Sequence, residues 1–153
     1  MKTKTIAILG LITALYVALT VAIAPIGFGI VQFRVAEVMK PLALKGKKYI
    51  IALIIGLVIA NMFSPSVGAM ELVFMPIMCG LGGLVSYLLR GKPFIATTLY
   101  AVIISIGVAT TLLVTFNAPF WITFASVSIS ELILMHVGRV LIDYIFRYSK
   151  VEK

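Results

Sequence analysis

Four stretches of the chain, residues 5–24, 70–89, 94–115 and 120–148, run for twenty or more residues on mostly apolar side chains. A helix rises 1.5 Å per residue, so about 20 apolar residues cross a hydrocarbon core of about 30 Å. In lipid every backbone polar group must be satisfied within the protein, which a helix achieves. The sequence is 62 % hydrophobic and 12 % charged, more apolar surface than a water-soluble fold of 153 residues can cover. The natural solvent is therefore lipid, and the length amounts to one domain, residues 1–153. The charged start and apolar run of MKTKTIAILGLITAL resemble a signal peptide, but the run continues to about Ala24 without a cleavage site, so it reads as a retained transmembrane helix.

Six segments emerge. The first helix, Thr5 to Ala24, stops at Pro25, with Gly27 and Gly29 beyond. A polar-spotted stretch, FGIVQFRVAEVMKPL, then leads into a short apolar piece ending at about Leu44 and the basic turn KGKK. The third segment, Tyr49 to Met62, closes at NMFSPSVG; the fourth, Met70 to Leu89, closes at RGKP; the fifth, Phe94 to Thr115, closes at FNAP. The sixth, Phe120 to Tyr148, precedes the polar tail SKVEK. The second and third are short for a full span, which is tolerated where they are buried in protein or line a cavity.

The net charge of +8 would suggest nucleic acid in a soluble chain. Here most of the thirteen Lys and Arg gather at segment ends: Lys2 and Lys4, KGKK, RGK, then Arg147, Lys150 and Lys153. Residues 25–36, 61–70 and 115–120 carry only Arg34. Basic groups at every second connection imply an all-α bundle of six transmembrane helices with both termini cytoplasmic. Four spans, with segments two and three as a re-entrant pair, would also keep the termini inside. Nucleic acid is not an expected partner. Cys79, the sole cysteine, excludes an internal disulfide, and no metal-ligand spacing, phosphate loop or nucleophile motif is present, so neither a cofactor nor a catalytic role is expected.

Ionisable groups within spans cost free energy and are functional candidates by default. They are Arg34, Glu37, Glu71, Glu131 and His136. Glu131 lies about 15 Å along its helix from Trp121, with no basic residue within a turn, and Arg139 nears the cytoplasmic side. Gln32, Arg34, Glu37, Asn61, Glu71, Asn117, Trp121 and Glu131 could converge in the outer half of a bundle. Carboxylates accept ring N–H and amino groups and an indole stacks on a ring, so such a cavity suits a small, planar, nitrogen-rich ligand. Structural readings stand beside these. Arg34 and Glu37 at i,i+3 can neutralise one another, Glu71 can answer a helix dipole, His136 can bond a neighbouring helix, and Asn117 can make a turn.

In the first helix Ala14, Ala18 and Ala22 recur every four residues, a spacing that lets a second helix approach closely. Together with that face, the blocks YVALTVAIAPIGFGIVQFRVAEVMKPLAL, IANMFSPSVGAMELVF and APFWITFASVSISELI resemble the substrate-binding (S) components of energy-coupling-factor (ECF) transporters, and among them the QueT family. The resemblance implies a six-helix bundle that binds a micronutrient from outside and carries no energy source. It also implies a coupling membrane protein and two cytoplasmic ATPases as partners, with Ala14, Ala18 and Ala22 facing the coupling protein. The loop after the first helix is a substrate lid in that group, which would give Gln32, Arg34 and Glu37 the roles of anchoring it and facing the ligand. QueT-like proteins are associated with queuosine precursors, notably 7-aminomethyl-7-deazaguanine, and Glu71 and Glu131 stand where the family usually has acids.

Two departures touch the expected pocket. The fifth segment, TTLYAVIISIGVATTLLV, lacks an asparagine expected in QueT-like sequences, and MELVFMPIMCG replaces an acid-then-glycine pattern with Met75 and Pro76. An S component for another vitamin or base, a structural membrane subunit and a membrane enzyme are the competing readings. The last lacks a reactive constellation, and the structural subunit leaves Glu131 without a role.

Overall fold

The computed structural model describes residues 3–23, 34–64 and 67–148. Among them every regular element is helical: α1 (Thr3–Ala22), a 3-10 helix (Val35–Lys45), α2 (Lys47–Asn61), a π-helical turn (Met70–Phe74) running into α3 (Met75–Leu88), α4 (Pro93–Phe116) and α5 (Phe120–Tyr148). The helix limits fall within two residues of those expected from the apolar runs.

Four of these helices are long and apolar enough to cross a bilayer: Thr3–Ala22, Met70–Leu88, Pro93–Phe116 and Phe120–Tyr148. The eleven-residue 3-10 helix and fifteen-residue α2 each extend only about 22 Å, at 2.0 and 1.5 Å per residue. Six full spans therefore do not follow from length.

What the short pieces lack in length they make up in burial. Eight of the eleven residues in the 3-10 helix are buried, because it threads between α1, α2, α3 and α5. Pro41 lacks the N–H that an α-helix would place on the Glu37 carbonyl, and its ring crowds that carbonyl. In the 3-10 winding Pro41 instead leaves the Val38 carbonyl, three residues back, without its donor. The closest approach is to α5 at Gly138, where any Cβ would collide with the Val38 carbonyl. The π-turn has a similar local cause. Pro76 cannot donate to the Leu72 carbonyl, and one residue earlier the Met75 N–H reaches back to Met70, one position further than in an α-helix.

Around this strut α4 and α5 pack along each other, α3 packs on α4, and α1 lies against α2. α1 buries little beyond Tyr16 and Thr20, so it forms the flank of the bundle. The basic turns collect at one end. Lys47 and Arg90 both sit over the Tyr87 ring, at 5.4 and 4.6 Å. Lys45 pairs with Asp143 of α5 at 2.5 Å. The opposite end carries Asn61, Glu71 and the α4–α5 turn, where Asn117 adopts a left-handed conformation (φ 53°) and closes α4.

Candidate functional site

The five acidic and basic side chains buried among the described residues are Arg34, Glu37, Lys40, Glu71 and Glu131, and they gather along the 3-10 helix. At the end away from the basic turns, Arg34 Nη1 donates to Asn61 Oδ1 at 3.4 Å, and Asn61 Nδ2 donates to the Glu71 carbonyl at 2.8 Å. Asn61 thus ties the close of α2 to the π-turn, and so fixes Glu71 beside Arg34. Both line a cavity of about 10 Å³ with Met75, Val108 and Thr111, room for about one water.

Deeper in the bundle, Glu37 is the hub. Its Oε1 accepts from the Tyr16 hydroxyl at 2.8 Å, its Oε2 pairs with Lys40, and Glu131 lies within electrostatic reach of it. Lys40 has no exposed surface. Its ammonium lies 5.8 Å from the centre of the Tyr100 ring, whose hydroxyl meets Cys79 Sγ at 3.3 Å. Glu131, on α5, is 2 % exposed, and its Oε2 has no hydrogen-bond donor among the described residues.

Counting charges decides what this cluster can do. Three carboxylates face two cations, so with all groups ionised one negative charge is uncompensated. The undescribed residues 24–33 and 65–66 hold no ionisable side chain that could cancel it. A buried carboxylate without a counter-charge takes up a proton or a cationic partner. Neutrality of the cluster therefore requires one more positive charge, from a proton or from a cationic partner.

Of the residues expected to bind ligand, the structure brings together Arg34, Glu37, Asn61, Glu71 and Glu131. Gln32 lies outside the described residues. Asn117 and Trp121 are not brought in. Asn117 is an exposed turn residue. Trp121 is 77 % exposed and packs edge-on against Phe120 and Phe124. Ten residues separate it from Glu131, which turns the two about 80° apart around the helix. No indole platform stands over the acids, and Trp121 occupies a position typical of the aromatic belt at a membrane surface. His136 is an interhelical partner, its Nε2 3.1 Å from Thr98 Oγ1.

Two residues of the cluster escaped the sequence reading. Lys40, three positions after Glu37, has the spacing of a solvated ion pair, and only tertiary packing reveals its burial. Tyr16 left a faint signal as the one aromatic residue in α1, since a buried tyrosine needs a partner for its hydroxyl.

The Ala14, Ala18 and Ala22 side chains are exposed on α1. Ala14 and Ala18 line an apolar groove of about 810 Å³ between α1 and α2, with Thr13, Ile51, Ile55 and Phe63 among its walls.

Compared with known families, residues 6–147 match the profile of the QueT transporter family. The chain belongs to the QueT transporter family. The match spans every residue of the buried cluster and makes the chain a multi-pass membrane protein of a transporter family. A curated QueT relative, the queuosine precursor transporter QueT of Lactococcus lactis subsp. cremoris (strain MG1363), is 31 % identical over 159 residues, covering 93 % of this chain and 92 % of that protein. No solved structure matches the chain. Against the pattern expected of QueT sequences, Met75–Pro76 is a local departure with a visible effect, since it ends the π-turn that carries Glu71.

Proposed function

We propose that this QueT-family protein is the substrate-binding component of an ECF transporter and captures a queuosine precursor, 7-aminomethyl-7-deazaguanine, from outside the cell. The observation that carries this reading is the single uncompensated negative charge in an otherwise closed polar cluster. The aminomethyl group of that base supplies one positive charge, and its guanine-like edge supplies N–H donors that carboxylates accept. Glu131 and Glu71 are the acceptors in this scheme, Arg34 and Asn61 border the base, and Glu37 with Lys40 holds Glu131 in position. The name of the Lactococcus relative supports the same ligand class.

A binder with no ATP site of its own depends on partners. The coupling membrane protein docks on the Ala14, Ala18 and Ala22 face of α1 and brings two cytoplasmic ATPases. The exposure of that face and the groove beside it favour this placement. The chain crosses the membrane six times with both termini cytoplasmic. In support, the 3-10 helix runs from Arg34, near Asn61 and Glu71, to Lys45 at the basic end, and α2 returns. The whole chain acts as one substrate-binding unit.

Calorimetric titration of the purified protein tests the ligand. 7-Aminomethyl-7-deazaguanine should bind one to one and raise the melting temperature, and guanine, without the ammonium, should bind more weakly. A folded protein that binds neither overturns the proposal.

A further inference from the structure

Toward the basic end, α5 carries a cation that the substrate cluster does not use. A groove of about 400 Å³ between the start of α4 and α5 is lined by Phe94, His136, Val137, Arg139, Val140 and Leu141. The His136 ring stacks on Phe94 at 4.6 Å between centroids, and the Arg139 guanidinium lies 6.0 Å from the Phe94 ring centre. Arg139 Nε and His136 Nδ1 have no hydrogen-bond partner among the described residues. The acid one turn along the helix, Asp143, is already engaged by Lys45. Among the described residues Arg139 is thus a guanidinium without a carboxylate, set in a surface whose other large members, Phe94, Val137, Val140 and Leu141, are exposed and apolar.

Such a surface faces lipid, where an uncompensated charge is costly. Its depth offers a solution. Phe94 is the second residue of α4, directly after the basic turn Arg90–Lys92, so Arg139 stands near the headgroups of the leaflet at the basic end. A guanidinium presents a fork of N–H donors that fits phosphate oxygens bidentately, and a polybasic rim attracts anionic lipid.

We infer that this groove is a binding site for an anionic phospholipid, its phosphate on Arg139 and an acyl chain along Val137, Val140 and Leu141. His136 Nδ1 is the second polar atom within the site. The lipid fixes the start of α4 against α5 and neutralises the cation that Asp143 leaves unpaired. The inference is independent of the substrate assignment.

Native mass spectrometry of the full chain in detergent, titrated with phosphatidylglycerol and with phosphatidylcholine of the same acyl chains, tests it. The protein should retain one phosphatidylglycerol in preference to phosphatidylcholine. Arg139→Gln should weaken that retention by about tenfold or more, while Arg90→Gln, in the neighbouring basic turn, should leave the high-affinity lipid in place. Should Arg139→Gln fold poorly, Val140→Trp fills the groove with the guanidinium intact and should also release the lipid. Equal retention of both lipids, or unchanged phosphatidylglycerol binding in Arg139→Gln and Val140→Trp, overturns the site. Displacement of the lipid by glycerol 3-phosphate, which has the phosphate without chains, would reassign the site to a soluble anion and overturn it equally.

Discussion

A lysine with none of its surface exposed keeps its charge only among carboxylates, and Lys40 has Glu37 in direct contact with Glu131 in electrostatic reach. Removing one member of a buried pair leaves the other uncompensated, at a cost of about 3–5 kcal/mol. Lys40→Met should therefore lower the melting temperature steeply, and adding Glu37→Gln to it should restore most of the loss; thermal melts of the single and double variants check this. Glu131 behaves in the opposite way, because a negative charge on it would find no donor for Oε2 among the described residues. Glu131→Gln keeps the shape and removes that charge, so ligand-free stability should hold or rise. Binding of 7-aminomethyl-7-deazaguanine should weaken by about tenfold, since a ligand donor left unpaired costs about 1–3 kcal/mol. Calorimetry beside a melt separates the roles. Unchanged affinity removes Glu131 from the site, and a large loss of ligand-free stability makes it structural.

At the scale of elements, the 3-10 helix depends on a glycine contributed by another segment. Gly138→Ala should destabilise the protein by about 1–3 kcal/mol, the usual range for overpacking, because a methyl group there meets the Val38 carbonyl and a backbone cannot rotate away. A melt, with circular dichroism to confirm helicity, reads the effect, and an unchanged melting temperature would mean the two elements can separate freely. On α1, Ala18→Trp should leave ligand affinity intact and abolish transport if, as proposed, a coupling protein docks on this face; a variant that still transports makes the alanine face ordinary packing. The helices themselves were legible, because runs bounded by KGKK, RGKP and FNAP mark their own ends. So was the convergence of Arg34, Glu37, Asn61, Glu71 and Glu131, since polar groups in apolar spans turn inward toward one another. The side of α5 that Trp121 occupies was not, because depth along the helix was read without the azimuth, and ten residues leave the two side chains about 80° apart. Nor was the burial of Lys40. An i,i+3 acid–base pair looks the same in sequence whether water or Tyr100 lies beyond it.

For the molecule as a whole, the basic turns gathered at one end and the polar cluster nearer the other give the bundle an electrical polarity that matches a membrane with a positive-inside rule. Single cysteines introduced into residues 67–68 should be labelled from outside intact cells, and one at Lys47 only after permeabilisation; the reverse pattern would sink the six-span arrangement. The burial of Glu37 and Lys40 also imposes an order of events during synthesis. The 3-10 segment leaves the ribosome before Tyr100 and Glu131 exist, so at that stage Lys40 has only Glu37 beside it. Its full set of partners is in place only when α5 supplies Glu131 and the Gly138 seat, so the 3-10 segment reaches its final packing after α5 has been translated.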